Sequence, residues 1–127
     1  MIESLSIHHV SLAVTDIEQA KYFYGKLLGF PEIKRPNFSF PGAWYQVGEQ
    51  QLHLIVQPKS ETLRTGTIDS NEGHFAIRVK SYDKTLYELK SKGIEVVEKP
   101  LSMSGFAQIF CMDPDRNIIE FNVEQGH

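Results

Sequence analysis

Three histidines and one glutamate carry side chains that could hold a metal ion: His9, His53, His74 and Glu120. His9 and His74 lie near the start of two similar stretches, "HHVSLAV" and "GHFAIRV", and are 65 residues apart. Imidazole nitrogens and a carboxylate oxygen suit divalent transition metals such as Ni²⁺, Zn²⁺, Fe²⁺ or Mn²⁺. A single histidine on a strand is more often a hydrogen-bonded structural residue than a metal ligand, and a single glutamate could be solvated or ion-paired. The elements that carry the four residues therefore decide how they are interpreted.

In the first half of the chain, two of these histidines lie on predicted strands. The stretch "IHHVSLAV" alternates with a period of two, which predicts a half-buried strand with His9 and Ser11 opposite the apolar side chains. In "QLHLIV", His53 likewise points away from the leucine and valine phase. "AWYQV" before it completes a predicted hairpin around "GEQ".

The second half repeats the same pattern. In "GHFAIRV", His74 and Arg78 lie opposite the apolar triplet, and in "IIEFNV" Glu120 lies opposite another. The four candidate ligands thus share one property. On its strand, each lies on the face opposite to the apolar side chains that should pack against a helix. We expect all four to project from the face of a sheet that its helix leaves open.

The helices of the two halves begin and end with matching signals. Asp16 and Ser81 are predicted N-caps, and Gly29 and Gly93 are predicted to end the two helices. Self-similarity at a fixed offset indicates a duplicated βαβββ unit. The predicted parts of this single domain are a first module at 1–56, a polar linker at 57–72 and a second module at 73–127.

The predicted fold class is α+β, with two paired βαβββ modules that form a curved sheet around a cleft. If the helices lie outside, the approximate symmetry brings the four ligands together on the concave side. A thiolate site is excluded by count, since Cys111 is the one cysteine.

Composition and charge limit the kinds of molecule that the protein is expected to bind. The net charge is −3 with no basic block, so no nucleic-acid backbone is expected as a ligand. The N-terminus lacks the pattern of a signal peptide, and no apolar run approaches the roughly 20 residues that span a bilayer. With one cysteine in the sequence, we expect a cytoplasmic protein that acts on a small molecule.

Three stretches, "HHVSLAVTDIEQAKYFYGKLLGF", "GHFAIRV" and "DPDRNIIEF", resemble the vicinal oxygen chelate superfamily. This group includes glyoxalase I, fosfomycin-resistance proteins, methylmalonyl-CoA epimerase and extradiol dioxygenases. The resemblance implies paired βαβββ modules with a divalent metal at the base of the cleft, and it assigns the ligand positions to His9, His53, His74 and Glu120. A homodimer is also expected, with each site built within one chain or across two.

The leading functional prediction is a metal-dependent lyase or isomerase of the glyoxalase type. Such an enzyme acts on a substrate that chelates metal through two oxygens, such as the glutathione adduct of methylglyoxal, and Glu120 would be the catalytic base. Glyoxalase I usually has a glutamate where this chain has His53, which weighs against the isomerase.

Three alternatives stay open at this point. The His, His, Glu set resembles that of extradiol dioxygenases, although their extra acid–base histidines are missing. Ser11 beside His9 favours a fosfomycin-type thiol transferase, although the Arg-bearing tail of that family is missing. A non-catalytic drug-binding protein of the bleomycin-resistance kind generally lacks the ligand set that is present here.

Several other side chains are candidates for substrate binding. Trp44, after a Pro-Gly turn, and Phe106, on the matching strand of the second half, could form walls of a pocket. Arg78 shares the phase of His74 and could pair with Glu120 or contact substrate. Three basic residues could reach an anionic substrate: Lys34, Arg35 and Arg64.

Overall fold

The chain divides into two compact units, Met1–Glu61 and Thr62–His127. The computed structural model describes residues 1–57 and 66–126, so Arg64 and half of the predicted linker lie outside the described residues. Each unit contains one four-stranded mixed sheet and one helical region. The predicted α+β fold class is confirmed.

The elements of the first unit are β1 (His9–Val14), α1 (Ile17–Lys21), a π-helical segment (Tyr22–Leu27), β2 (Glu32–Ile33), β3 (Gly42–Val47) and β4 (Gln50–Val56). The strand order is β1-β4-β3-β2, in which β1 runs parallel to β4 and the other neighbours are antiparallel. The hairpin predicted around "GEQ" corresponds to β3 and β4.

The elements of the second unit are β5 (Phe75–Arg78), α2 (Tyr82–Ser91), β6 (Val97–Lys99), β7 (Phe106–Met112) and β8 (Ile118–Glu124). The strand order β5-β8-β7-β6 repeats that of the first unit, again with the first strand parallel to the last. The predicted βαβββ repeat is therefore confirmed.

Both helices begin with a side-chain cap, as the sequence predicts. Asp16 Oδ1 accepts a hydrogen bond from Gln19 N at 3.0 Å, and Ser81 Oγ accepts one from Lys84 N at 3.1 Å. Gly29 and Gly93 follow the helices with φ of 77° and 74°, the left-handed conformation that favours glycine.

The first helix differs from a regular α-helix in its second half. Leu28 N donates to Phe23 O at 2.9 Å, a bond that spans five residues and is typical of π-helical winding. The wider turn lets two consecutive aromatic side chains face inward, and Phe23 and Tyr24 are 5% and 0% exposed.

The helices pack against the central strands of their own sheets. Within the first unit, α1 contacts β3 and β4, and within the second unit α2 contacts β7 and β8. β8 is buried from Ile118 to Val123 on both faces, so its two polar residues are buried as well. At the start of β3, a Cβ on Gly42 would lie 2.3 Å from Leu54 O, so this position accepts only glycine without a backbone shift.

Among residues 1–57 and 66–126, no helix is both long and apolar enough to cross a membrane.

Candidate functional site

The histidines of the first unit are aligned by strand pairing. Ser11 of β1 and Trp44 of β3 are the register partners of His53 on β4. The His53 ring stacks on the Trp44 ring with centroids 3.9 Å apart and on the His9 ring with centroids 4.1 Å apart. Three neighbouring strands therefore present three parallel rings on one face of the sheet.

His53 lies in an environment that favours its neutral form. Its side chain is buried, and its Nε2 lies 2.8 Å from Gln51 Oε1. Burial lowers the pKa of His53, and electrostatic interactions with His9, His8 and Arg35 lower this pKa further. A neutral imidazole is the form that binds metals.

His8 is exposed at the edge of this group. Its Nδ1 lies 2.9 Å from His9 Nδ1, so one of the two rings donates a hydrogen bond to the other. The contact makes His8 a direct neighbour of His9.

The second unit brings His74 and Glu120 into direct contact. His74 Nε2 lies 3.0 Å from Glu120 Oε1, and His74 Nδ1 lies 2.7 Å from the carbonyl oxygen of Glu72. The carbonyl can only accept, so Nδ1 carries a proton and Nε2 is the nitrogen that faces the carboxylate. A neutral His74 and an ionised Glu120 would then need a proton or a metal cation between them.

Glu120 is held from its other side. It is 4% exposed, and its Oε2 accepts a hydrogen bond from Asn122 Nδ2 at 2.7 Å. Arg78 Nε in turn donates to Asn122 Oδ1 at 2.7 Å. Arg78 thus reaches Glu120 through an amide and not by the direct ion pair that the sequence suggested as one option.

Asn122 was not among the candidate residues predicted from the sequence. The signal that could have found it is its position two residues after Glu120, which puts both side chains on one face of β8. In the first unit, Gln51 lies two residues before His53 on β4, and its side-chain amide contacts the His53 ring. In both units an amide therefore holds the candidate ligand of the last strand.

The other predicted side chains have different surroundings. Ser11 is exposed and Trp44 is half-buried. The Phe106 ring lies 5.0 Å from the guanidinium of Arg78. Cys111 is fully buried, and burial, together with the nearby Asp113 charge, raises the pKa of its thiol to about 12. The thiol is therefore protonated at neutral pH.

The four predicted ligands fall into two pairs, one in each unit. Within either unit, the described residues contain no group of three or more His, Cys, Asp or Glu side chains that could hold a metal. Three imidazoles and a carboxylate form a donor set that fits a divalent transition metal.

The chain is similar to several known proteins. The family model described as "Glyoxalase/Bleomycin resistance protein/Dioxygenase superfamily" matches residues 6–121. "Glyoxylase I 4" of Arabidopsis thaliana is 32% identical over 119 residues, covering 91% of this chain and 68% of the relative. YwkD, an uncharacterized protein of Bacillus subtilis, is 32% identical over 123 residues, covering 91% and 94%.

Among solved structures, a Bacillus anthracis protein assigned to the glyoxalase family superposes with a TM-score of 0.81. It is 27% identical in sequence, and the match covers 98% of each chain.

Proposed function

The chain belongs to the glyoxalase/bleomycin resistance protein/dioxygenase superfamily, and from this premise we propose that it is a metal-dependent lyase or isomerase of the glyoxalase type. Its substrate is a small molecule with two neighbouring oxygens, such as the adduct of glutathione with a 2-oxoaldehyde. The name of the Arabidopsis relative supports this choice within the family. The observation that carries the proposal is the buried carboxylate of Glu120, held between His74 and Asn122.

His9, His53, His74 and Glu120 are the residues that we propose to hold the divalent metal, which is Ni²⁺, Zn²⁺, Fe²⁺ or Mn²⁺. The anchoring of His74 Nδ1 on the Glu72 carbonyl supports this assignment, because metal-binding histidines commonly donate their second nitrogen to such an acceptor. A bound divalent metal supplies Lewis acidity that withdraws charge from the two substrate oxygens.

Glu120 is the proposed base. It takes a proton from the carbon next to the substrate carbonyl and returns it to the neighbouring carbon, so that the reaction is an isomerisation without net redox change. Burial of the carboxylate excludes the water that would otherwise exchange with this proton.

Trp44 and Ser11 are proposed to contact the substrate. Trp44 lies flat against His53, and Ser11 is the register neighbour of His53 on β1, so both lie beside a proposed ligand. Phe106 and Arg78, whose guanidinium lies over the Phe106 ring, remain predicted substrate contacts on the second unit.

Metal content and turnover test the proposal. Purified protein should contain a divalent metal by elemental analysis, and His74→Ala should lose most of it. Lys84→Ala is the control, because Lys84 is an exposed residue of α2 outside the ligand set. Equal metal content in His74→Ala and wild type would contradict the site.

Turnover of methylglyoxal with glutathione, measured with added Ni²⁺ or Zn²⁺, tests the reaction. We expect Glu120→Gln to lower kcat by about 10²–10⁴-fold, the usual contribution of a general base. Glu124→Gln on the same strand should keep activity. An absence of turnover with every metal would remove the glyoxalase proposal, and oxygen consumption with catechols would favour the dioxygenase instead.

A further inference from the structure

A row of polar contacts extends behind Glu120 and ends at the protein surface. Arg78 Nε donates to Asn122 Oδ1, and Asn122 Nδ2 donates to Glu120 Oε2, each at 2.7 Å. The other carboxylate oxygen, Oε1, lies 3.0 Å from His74 Nε2. Both oxygens of Glu120 therefore have fixed partners.

The strand register produces this row. β5 runs parallel to β8, with Ala76 beside Glu120 and Arg78 beside Asn122. Glu120 and Asn122 are two residues apart and share one face of β8. Because Asn122 is 7% exposed, little water competes for its amide.

Arg78 determines the direction of the Asn122 amide. A guanidinium can only donate hydrogen bonds, so the amide must turn its oxygen towards Arg78. The NH₂ group then faces Glu120, which can accept. If the amide were reversed, its oxygen would face the carboxylate and two acceptors would repel each other.

Arg78 is itself held by two further contacts. Its guanidinium lies 5.0 Å from the centroid of the Phe106 ring, and its Nη1 lies 3.1 Å from Glu124 Oε1. The Arg78 and Glu124 side chains are 51% and 56% exposed, so this ion pair is a surface pair of small energetic weight. The bond to the buried amide is the contact that reaches the site.

We propose that Arg78 and Asn122 form a positioning pair that holds Glu120 Oε2, so that Oε1 is kept towards His74. The inference rests on the proposed function, in which Glu120 binds the metal and moves a proton. A carboxylate with these two roles needs a fixed orientation, which the pair would supply. Arg78 acts through Asn122 and is a positioning residue.

Calorimetric titration of the metal-free protein with Ni²⁺ tests the pair. Asn122→Leu keeps the side-chain size but removes both hydrogen bonds, and it should weaken nickel binding by about 10–100-fold, as losses of outer partners of metal ligands do. Arg78→Met should weaken it by roughly five-fold or more, and Arg78→Lys, which keeps one donor group, should recover part of the loss.

Glu124→Gln is the matched control. It removes the surface ion pair of Arg78 but leaves the bond to Asn122, and nickel affinity should stay within about two-fold of wild type. If Arg78→Met binds nickel as tightly as Glu124→Gln does, the positioning pair is wrong. A fall in the melting temperature of Asn122→Leu without any change in nickel affinity would also overturn it, because that result indicates a structural role alone.

A second measurement separates this inference from the proposed function. In the metal-free protein, the side-chain amide protons of Asn122 should exchange slowly with solvent in wild type and Glu124→Gln, and fast in Arg78→Met. If Glu120→Gln binds nickel like wild type, the proposed function fails. Equal amide exchange in wild type and Arg78→Met overturns the positioning pair.

Discussion

Tyr45 is a buried residue whose hydroxyl group has no hydrogen-bond partner in the part of the chain that the structure describes. The side chain is 1% exposed, and its hydroxyl packs beside Gly25, where an added Cβ would lie 3.5 Å away. Burial, together with the charge of Glu32, its register partner in β2, raises the pKa of Tyr45 to about 12. An unpaired buried hydroxyl costs roughly 1–3 kcal/mol.

We predict that Tyr45→Phe raises the free energy of unfolding by about 1 kcal/mol at neutral pH, because the unpaired hydroxyl is removed. The pKa of Tyr45 is higher in the folded protein than in the unfolded chain. Wild type should therefore lose stability as pH rises above about 10 and towards 12, and the variant should lose less.

Urea denaturation at neutral and alkaline pH measures both effects. Tyr22→Phe is the control, since Tyr22 is 57% exposed and its hydroxyl is solvated. Lower stability of Tyr45→Phe at neutral pH would contradict the prediction.

At the scale of single residues, the sequence predicted the face of the sheet on which a side chain lies better than it predicted the residues that the side chain contacts. The strand period placed His74 and Glu120 in matching phases, and the structure puts them 3.0 Å apart. The period could not predict that Asn122 fills the space between Glu120 and Arg78. An asparagine in a strand carries no chemical signal of its own, and its partners depend on the register of two strands that are distant in sequence.

At the scale of elements, the turn before β8 is built by one aspartate. Asp113 Oδ1 accepts hydrogen bonds from Asp115 N at 2.9 Å and Asn117 N at 2.8 Å, and Oδ2 accepts one from Asn117 Nδ2 at 2.9 Å. Arg116 closes the turn with φ of 66°, a left-handed conformation that is strained for a residue with a side chain.

We predict that Arg116→Gly is more stable than Arg116→Ala by about 1 kcal/mol, because glycine adopts positive φ without strain. Both variants lose the contacts of the arginine side chain equally, so their difference isolates the backbone effect. Thermal unfolding of the two proteins measures it. Equal melting temperatures would show that the turn stores no strain at this residue.

Element types were predictable because the periods of two and 3.6 are distinct, and because Asp16, Ser81, Gly29 and Gly93 mark helix ends. The π-helical segment at Tyr22–Leu27 was not predictable in this way. Its winding depends on the burial of two consecutive aromatic rings, which is a property of tertiary packing. The left-handed backbone at Arg116 was not predictable either, because an arginine in the sequence gives no sign of it.

At the scale of the whole molecule, each sheet has two edges. β1 and β2 are the outer strands of the first sheet, and β5 and β6 are those of the second. An outer strand of a sheet leaves backbone donors and acceptors available for pairing. The family and fold could be recognised from the sequence because the duplicated pattern runs through both units, whereas the reaction depends on a few side chains and on the substrate.

We predict that the protein is a homodimer, since two-fold association is a common way to cover such edges. Light scattering coupled to size-exclusion chromatography should give twice the chain mass of 14.5 kDa. A dilution series would give the dissociation constant. A mass equal to one chain at micromolar concentration would contradict the prediction.

The parallel pairing of β1 with β4 also has a kinetic consequence. β3 and β4 are joined by a tight turn and can pair within microseconds. β1 can pair with β4 only after a long loop has closed, because His9 and its register partner Gln51 are far apart in the sequence. Closing such a long loop lowers the conformational entropy of the chain before any stabilising contact has formed, and this slows folding. During synthesis the first strand leaves the ribosome well before β4 exists, so the stacking of His9 on His53 is among the last contacts of the first unit that a nascent chain can make.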